Sequence, residues 1–551
     1  MSVEKDLFPL IFEVFSRLPP SESEIYEPKK FESYPFEKAR IGHNKAIEAI
    51  LGPEKVVFLT APTGTGKTVV YLTALIESGL SGFVLLPRNG LQEQVEQYNF
   101  YFDGVDLIYL FAKEKHCDNL VLVGAERVPL CNLKVKKGGK YYVQYNGELL
   151  SYPPHCYDNC PYLRICELIH RKLKKAECIP LLNTGNFWPF KNDAGFVIVD
   201  EVDETLRMIK DAVDELGVCE DEPLAVLEWM EKKEIEKLEK LEEMFESSLS
   251  DEEVLRVNRS IEHVKRRLKK IEVFKSFFAD KLITYVNKKQ KRTYVEVFET
   301  DILKVVERLF KYAEKIVLVT ATPPPYVRQA QNVTFSIPFP RTAVFYYPVA
   351  NLSVRNLKKE GRELLEKVVS NVIIPVYNYV TQLTGVGKVP IHCGNLSKHG
   401  EAVSEILRNN GFRVVLMEKG KQREAVDVFV KGTYDFLCIV AAEYGYDWVE
   451  FPLQIILKVP YLDLYDPRTQ AIKRYLGDKF NEWYAWDALS RMIQACGRNV
   501  RDPSRFAISL ILDSKFEDEY SRFADRIPQW FKERLIWVKP SSSLEQTQSS
   551  Q

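Results

Sequence analysis

Apolar residues in this chain gather in short unbroken runs, and each run ends on small or charged residues. Val56–Thr60 (VVFLT) meets the stretch Ala61-Pro-Thr-Gly-Thr-Gly-Lys-Thr68, and the helical pattern VVYLTALIES follows. Gly82-Phe-Val-Leu-Leu-Pro87 precedes a helix from Leu91, Gly195–Val199 ends at Asp200-Glu-Val-Asp203, and Lys315–Val319 ends at Thr320-Ala-Thr322. Runs of this length without alternation predict strands covered on both faces, as in parallel sheets. Polar residues at their C-terminal ends occupy the place where open α/β sheets bind ligands. A second pattern of the same kind starts near residue 340. Its strand candidates are Lys388–His392, Phe412–Leu416, Phe436–Val440, Gln454–Leu457 and Phe506–Leu512, with helices from Lys398 and over Trp486–Cys496.

Between the runs of the first half lie two insertions. Residues 110–192 are rich in cysteine and tyrosine around a glycine turn, Lys136-Lys-Gly-Gly-Lys140. Residues 205–297 carry charge-laced helical segments such as LEWMEKKEIEKLEKLEEMF, broken by Ser247-Ser-Leu-Ser-Asp251, which predicts an antiparallel helical hairpin. A hairpin of this composition is equally a solvated helical face with no chemistry. The chain divides into a lead-in (1–35, with a short helix over Leu7–Leu18), a first lobe (36–109, 193–204 and 298–339) interrupted by the insertions, a second lobe (340–538) and a polar tail (539–551).

Length and charge add bounds. A chain of 551 residues accommodates about two to four domains. Lys plus Arg (76) nearly cancel Asp plus Glu (77), so any nucleic-acid contact must come from local basic grooves. The sequence has no long apolar span and no secretory pattern at Met1-Ser-Val-Glu-Lys-Asp6, which predicts an intracellular protein, in the cytoplasm or at the nucleoid or nucleus. Of ten cysteines, six fall between Cys117 and Cys178. In an intracellular protein such grouping points to metal rather than disulfides.

The stretch Ala61, Pro62, Thr63, Gly64, Thr65, Gly66, Lys67, Thr68 sits between a strand and a helix, the setting a phosphate loop needs. There, successive backbone N–H groups surround an anion, Lys67 reaches the β- and γ-phosphates and Thr68 holds Mg²⁺. Asp200 and Glu201 follow a buried strand, as a Mg²⁺-binding carboxylate and a water-orienting carboxylate would. Alone such a group is more often a helix N-cap cluster; paired with Lys67 it is the second half of one ATP site. Gln494-Ala-Cys-Gly-Arg498-Asn-Val-Arg501 offers two arginines for the transferring phosphoryl charge; in isolation such a pair is usually a surface basic helix.

Cys131, Cys156, Cys160 and Cys166 form a possible metal set. Four thiolates suit a [4Fe–4S] cluster or tetrahedral zinc, and spacing alone leaves both open.

These motifs in this order resemble superfamily 2 helicases over residues 36–515: motif I at Ala61–Thr68, motif Ia at Pro87–Gln94, motif II at Asp200–Asp203, motif III at Thr320–Thr322, motif VI at Gln494–Arg501. The resemblance implies an α/β fold of two RecA-like lobes with parallel sheets, ATP between them, and Thr320 and Thr322 coupling nucleotide state to lobe movement. The cysteine insertion before motif II and the helical insertion after it are similar to the XPD/DinG branch, with Gly124-Ala-Glu-Arg127 and Cys160-Pro-Tyr as further likenesses. Cys178 then reads as a strand residue rather than a ligand. That branch implies a small iron–sulfur insertion, a helical arch-like insertion, a [4Fe–4S] cofactor and 5′-to-3′ travel on single-stranded DNA. It further implies opening of forked duplex DNA in repair or replication-linked processing, and a monomeric motor.

The sequence departs from the branch in motif II (Asp203 where His is usual), at Arg40-Ile-Gly-His43 (His where Gln is frequent, which alters adenine recognition) and in motif V, Glu443-Tyr-Gly-Tyr-Asp447. By the same resemblance Asp447 lies beside the nucleotide. Arg88, Lys134, Lys136, Lys137, Tyr141 and Tyr142 are candidates for DNA contact, each equally readable as solvent face or local core. Two other functions compete: a zinc-containing RNA helicase or remodelling ATPase, and a nucleic-acid-binding scaffold with weak motor activity.

Overall fold

The computed structural model describes all residues except 1–2, 63, 88–94, 96, 103–105, 110–119, 138–139, 147, 152–177, 184–194, 203, 206–209, 247–248, 322–330, 353–361, 395–398, 419–420, 440–449, 501 and 542–551. The predicted apolar runs of the first half become one sheet. Its strands are β1 (Val56–Thr60), β2 (Gly82–Leu86), β3 (Asp106–Tyr109), β4 (Cys178–Asn183), β5 (Phe196–Val199), β6 (Lys315–Thr320) and β7 (Gln331–Thr334). They lie in the order β7-β1-β6-β5-β2-β4-β3, and every pairing is parallel.

Side chains two apart share a face of a strand, and here the two faces feed two cores. Val57, Leu59, Val84, Leu86, Ile198, Val317 and Val319 pack under the helix Lys67–Glu77. Their neighbours Phe58, Phe83, Leu85, Val197, Val199 and Leu318 pack against the helical insertion. The sheet is thus covered on both sides, which is why its strands read as unbroken apolar runs.

A second parallel sheet forms the other lobe: β8 (Thr342–Ala350), β9 (Val389–His392), β10 (Val414–Leu416), β11 (Phe436–Ile439), β12 (Leu453–Ile456), β13 (Ala507–Asp513) and β14 (Leu535–Trp537), in the order β10-β11-β9-β12-β13-β8-β14. The two sheets give the α/β, two-lobe architecture. Strand β8 was not among the sequence candidates, although its run TAVFYYPVA is almost wholly buried beside β13.

Three boundaries shift. Strand β4 pairs with β2 and β3, so the cysteine insertion leaves the sheet after Tyr109 and is back by Cys178, ending well before residue 192. Residues 3–16 are not a lead-in to the first lobe: Leu7, Ile11 and Val14 lie in the core of the second, with Tyr347 and Ile373. The helical insertion carries, besides its helices Pro223–Glu243 and Asp251–Phe277, an antiparallel sheet of Val213–Leu216, Arg292–Val297 and Leu282–Asn287. Ser250 caps the second helix, accepting from Glu253 N–H while the Glu253 carboxylate accepts from Ser250 N–H.

The tip of that hairpin and the described part of the cysteine insertion share one small core. Val123, Val128, Leu133, Val135 and Val143 meet Phe245, Val254, Leu255 and Ile261. Asn258 donates to the Lys134 carbonyl at 2.7 Å, and Asn146 N–H to Asp251 at 2.6 Å. No described helix is long and apolar enough to cross a membrane.

Candidate nucleotide site

Strand β1 delivers Ala61 beside β6, where its N–H donates to the Thr320 carbonyl at 3.2 Å. The loop then turns through Gly64 (φ 79°) and Gly66 (φ 92°). Both lie in the left-handed region that a side chain disfavours, so glycine is needed at each. Gly66 caps the helix that starts at Lys67. Lys67 Nζ donates to the Ala61 and Pro62 carbonyls at 2.9 and 3.2 Å, and the Thr65 hydroxyl to Pro62 at 2.7 Å. Thr63 lies outside the described residues.

Strand β5 delivers Asp200 to the same place. Its carboxylate is almost buried and accepts from Tyr71 OH at 3.0 Å and from Glu201 N–H at 2.8 Å. Burial first, then the charge of Glu201, raises its pKa to about 6, against the pull of Lys67. Glu201 itself has φ 44°, the left-handed region, directly at the site. Lys67, Thr68, Asp200 and Glu201 line one cleft of about 1030 Å³, together with Arg40, Phe36 and Tyr101.

One residue that sequence reading passed over, Tyr71, supports this cleft through Asp200. Tyr71 is one helical turn beyond Lys67, so the spacing i, i+4 puts both on one face; its polar tip inside an apolar segment was the available signal. Arg40 donates to the Gly64 carbonyl. His43 is buried, with Nε2 2.7 Å from the Thr65 carbonyl and Nδ1 2.8 Å from Tyr34 OH.

In the second lobe the helix Phe480–Cys496 runs into Gly497 and Arg498, and Arg498 is 8% exposed. A buried polar set anchors this helix end to the sheet. The Gln454 amide nitrogen is 2.9 Å from the Ala495 carbonyl, 3.1 Å from Asn499 Oδ1 and 2.8 Å from Ser509 Oγ, and its oxygen is 3.3 Å from His392 Nε2. Gln494 is on the same helix. Beyond it, the Asp502 carboxyl is held low chiefly by the Ser504 hydroxyl and feels the charge of Arg40 in the other lobe. The lobes also meet where Trp530 Nε1 donates to the Ala321 carbonyl at 2.9 Å and where Arg468 pairs with Glu296 at 2.8 Å.

Arg501, Asp447, Asp203, Thr322, Arg88, Cys156, Cys160 and Cys166 lie outside the described residues. Cys131 is half-buried in the short turn Leu130–Leu133, and among the described residues no group of three His, Cys, Asp or Glu could hold a metal. Of the DNA candidates, Lys134 Nζ sits 3.9 Å from the centroid of the Tyr141 ring, and Tyr142 packs against the core shared by the two insertions.

Residues 41–114 match the DEAD/DEAH box helicase family, and residues 396–534 match the helicase C-terminal domain family. Solved structures with similar coordinates include Xpd4 of S. tokodaii (13% identity, 90% of this chain and 98% of that one, TM-score 0.49). Others are a DEAD box protein of the hyperthermophile Methanococcus jannaschii (13%, 92% and 94%, 0.32) and S. cerevisiae Dbp5 bound to RNA and ADP BeF3 (12%, 92% and 90%, 0.39). No curated protein matches the chain in sequence. With a nucleotide-binding helicase domain on the first lobe and a helicase C-terminal domain on the second, the protein is an ATP-dependent helicase of superfamily 2.

Proposed function

We propose that the protein translocates on single-stranded DNA in the 5′-to-3′ direction and opens forked duplex DNA, in repair or replication-linked processing. The observation that carries the motor reading is the convergence of Lys67, Thr68, Asp200 and Glu201 on one cleft. Lys67 would neutralise the β- and γ-phosphates, with the loop N–H groups around them. Thr68 and Asp200 would hold Mg²⁺, which would supply further charge neutralisation to the phosphates. Glu201 orients water for in-line attack on the γ-phosphorus; the P–O bond to ADP breaks as the new one forms, and the proton leaves through Glu201. Arg498 and Arg501 from the second lobe meet the developing charge. Track, polarity and the [4Fe–4S] cluster on Cys131, Cys156, Cys160 and Cys166 rest on the resemblance of the motifs and on the sequence order of the insertions.

The test measures hydrolysis with single-stranded DNA and RNA, and unwinding of forks with 5′ or 3′ tails, for wild type and Lys67→Ala. DNA-stimulated hydrolysis and 5′-tail unwinding, both lost in Lys67→Ala, are expected. Stimulation by RNA alone selects the RNA helicase reading, and DNA-stimulated hydrolysis retained in Lys67→Ala removes the site assignment.

A further inference from the structure

The nucleotide cleft extends past His43 to aromatic side chains, and the polar groups of that histidine all face inward. A carbonyl only accepts, so Nε2 carries the hydrogen it donates to Thr65 O at 2.7 Å, and Nδ1 accepts from Tyr34 OH at 2.8 Å. Tyr34 OH in turn accepts the Arg40 N–H at 3.4 Å. A neutral imidazole has one donor and one acceptor, so none remains for a nucleobase. The ring is also locked in place: Phe335 stands edge-on at 5.0 Å, and a Cβ on Gly66 would lie 2.8 Å from His43 Cε1. A glutamine here would have two donors and two acceptor lone pairs, enough to hold the loop and still face the base. Arg40 is likewise turned to the loop, on the Gly64 carbonyl. Glu22 and Lys38 at the rim are paired with each other at 2.7 Å.

Beyond the loop the cleft presents mainly ring surface, with Glu37 the further charged residue of its lining besides the Glu22–Lys38 pair. Phe36, Phe100 and Tyr101 line it and are 39%, 90% and 51% exposed, with the Phe36 and Tyr101 centroids 5.1 Å apart. Aromatic faces stack on every base alike. Apolar contact discriminates far less than hydrogen bonds to a polar edge do.

We propose that this site is base-tolerant: the protein takes purine and pyrimidine nucleoside triphosphates, held by the phosphate loop and by stacking, and His43 fixes the loop instead of reading adenine. This rests on the cleft at Lys67 and Asp200 being the nucleotide site.

The experiment compares kcat/KM for ATP, GTP, CTP and UTP in DNA-stimulated hydrolysis by the full chain, and displacement of a fluorescent ADP by the four nucleoside diphosphates. All four bases are expected within about thirtyfold of one another, and a larger preference for ATP overturns the proposal. Phe36→Ala with Tyr101→Ala is expected to raise KM for all four by a similar factor; an effect confined to ATP counts against base-blind stacking. A chain that binds the four diphosphates alike and hydrolyses no triphosphate keeps this proposal and removes the motor. One that binds and hydrolyses adenine nucleotides alone keeps the motor and removes the proposal.

Discussion

Tyr71 donates its phenol hydrogen to Asp200 Oδ2 across 3.0 Å, so the helix that begins at Lys67 also fixes the carboxylate of the acidic motif. Both residues are buried, and burial holds the phenol protonated by raising its pKa well above the ordinary value.

Tyr71→Phe keeps the ring and removes that hydrogen bond. A buried acceptor that loses its donor costs about 1–3 kcal/mol, so kcat is expected to fall by about tenfold and the Mg²⁺ concentration for half-maximal rate to rise. A magnesium titration of hydrolysis checks this. An unchanged curve would show that Asp200 is held by other means.

Gln454→Leu empties the polar set beneath the Arg498 end of its helix. His392, Asn499 and Ser509 lose a shared partner, and the second lobe is expected to lose roughly 2–4 kcal/mol of stability. Because Arg498 belongs to the other lobe from the phosphate loop, kcat should drop while KM for ATP stays. A rise in KM with kcat intact would contradict that division of labour.

Val254→Asp puts a charge into the small core joining the two insertions, where Val254 is fully buried. The motor cores lie elsewhere, in the two sheets. DNA-stimulated hydrolysis is therefore expected to persist while fork unwinding falls at least tenfold, an outcome read by running both assays on one preparation. Equal loss of both would tie the insertions to the motor itself.

His43 and His392 are each pushed down to about 4 by burial. An unfolded chain takes up these protons as pH falls through about 6.5, whereas the folded one resists until about 4. Stability is thus full above 6.5 and is lost as pH falls toward 4, with each histidine contributing on the order of 2 kcal/mol between pH 7 and 5. Denaturant midpoints at the two pH values, in wild type and His43→Gln, measure it. A midpoint that does not move with pH in wild type would contradict the burial of these rings.

Anaerobically purified protein is expected to be brown, with about four iron atoms and matching acid-labile sulfide per chain, and Cys160→Ser to lose both. A colourless protein with one zinc would select the zinc-containing reading of the same thiols.

Much of the motor was legible in the sequence, because strands covered on both faces show as unbroken apolar runs and their ends carry Lys67, Asp200 and Thr320. Strand β8 was overlooked because TAVFYYPVA includes a proline and two tyrosines, though its tyrosines are buried among the cores. The attachment of Leu7, Ile11 and Val14 to the second lobe was not legible, since periodicity marks an apolar helix face without naming its partner. Tyr71 and Gln454 were missed, and the inward pairing of His43 was not legible, for a related reason. Their roles lie in pairings across 129, 55 and 22 residues, with Asp200, Ser509 and Thr65.

The placement of residues 3–16 on the second lobe means that the chain passes between lobes twice near one edge, first after the opening helix and again near Pro340. The passages are tied together: Arg17 donates to the Pro340 carbonyl at 3.3 Å, and Arg341 to the Phe15 carbonyl at 2.9 Å. A single linker leaves two bodies free to swivel about it; two adjacent tethers leave them chiefly one freedom, rotation about the line through both. The N-terminal helix thereby makes the joint between the lobes a hinge about one line rather than a free swivel.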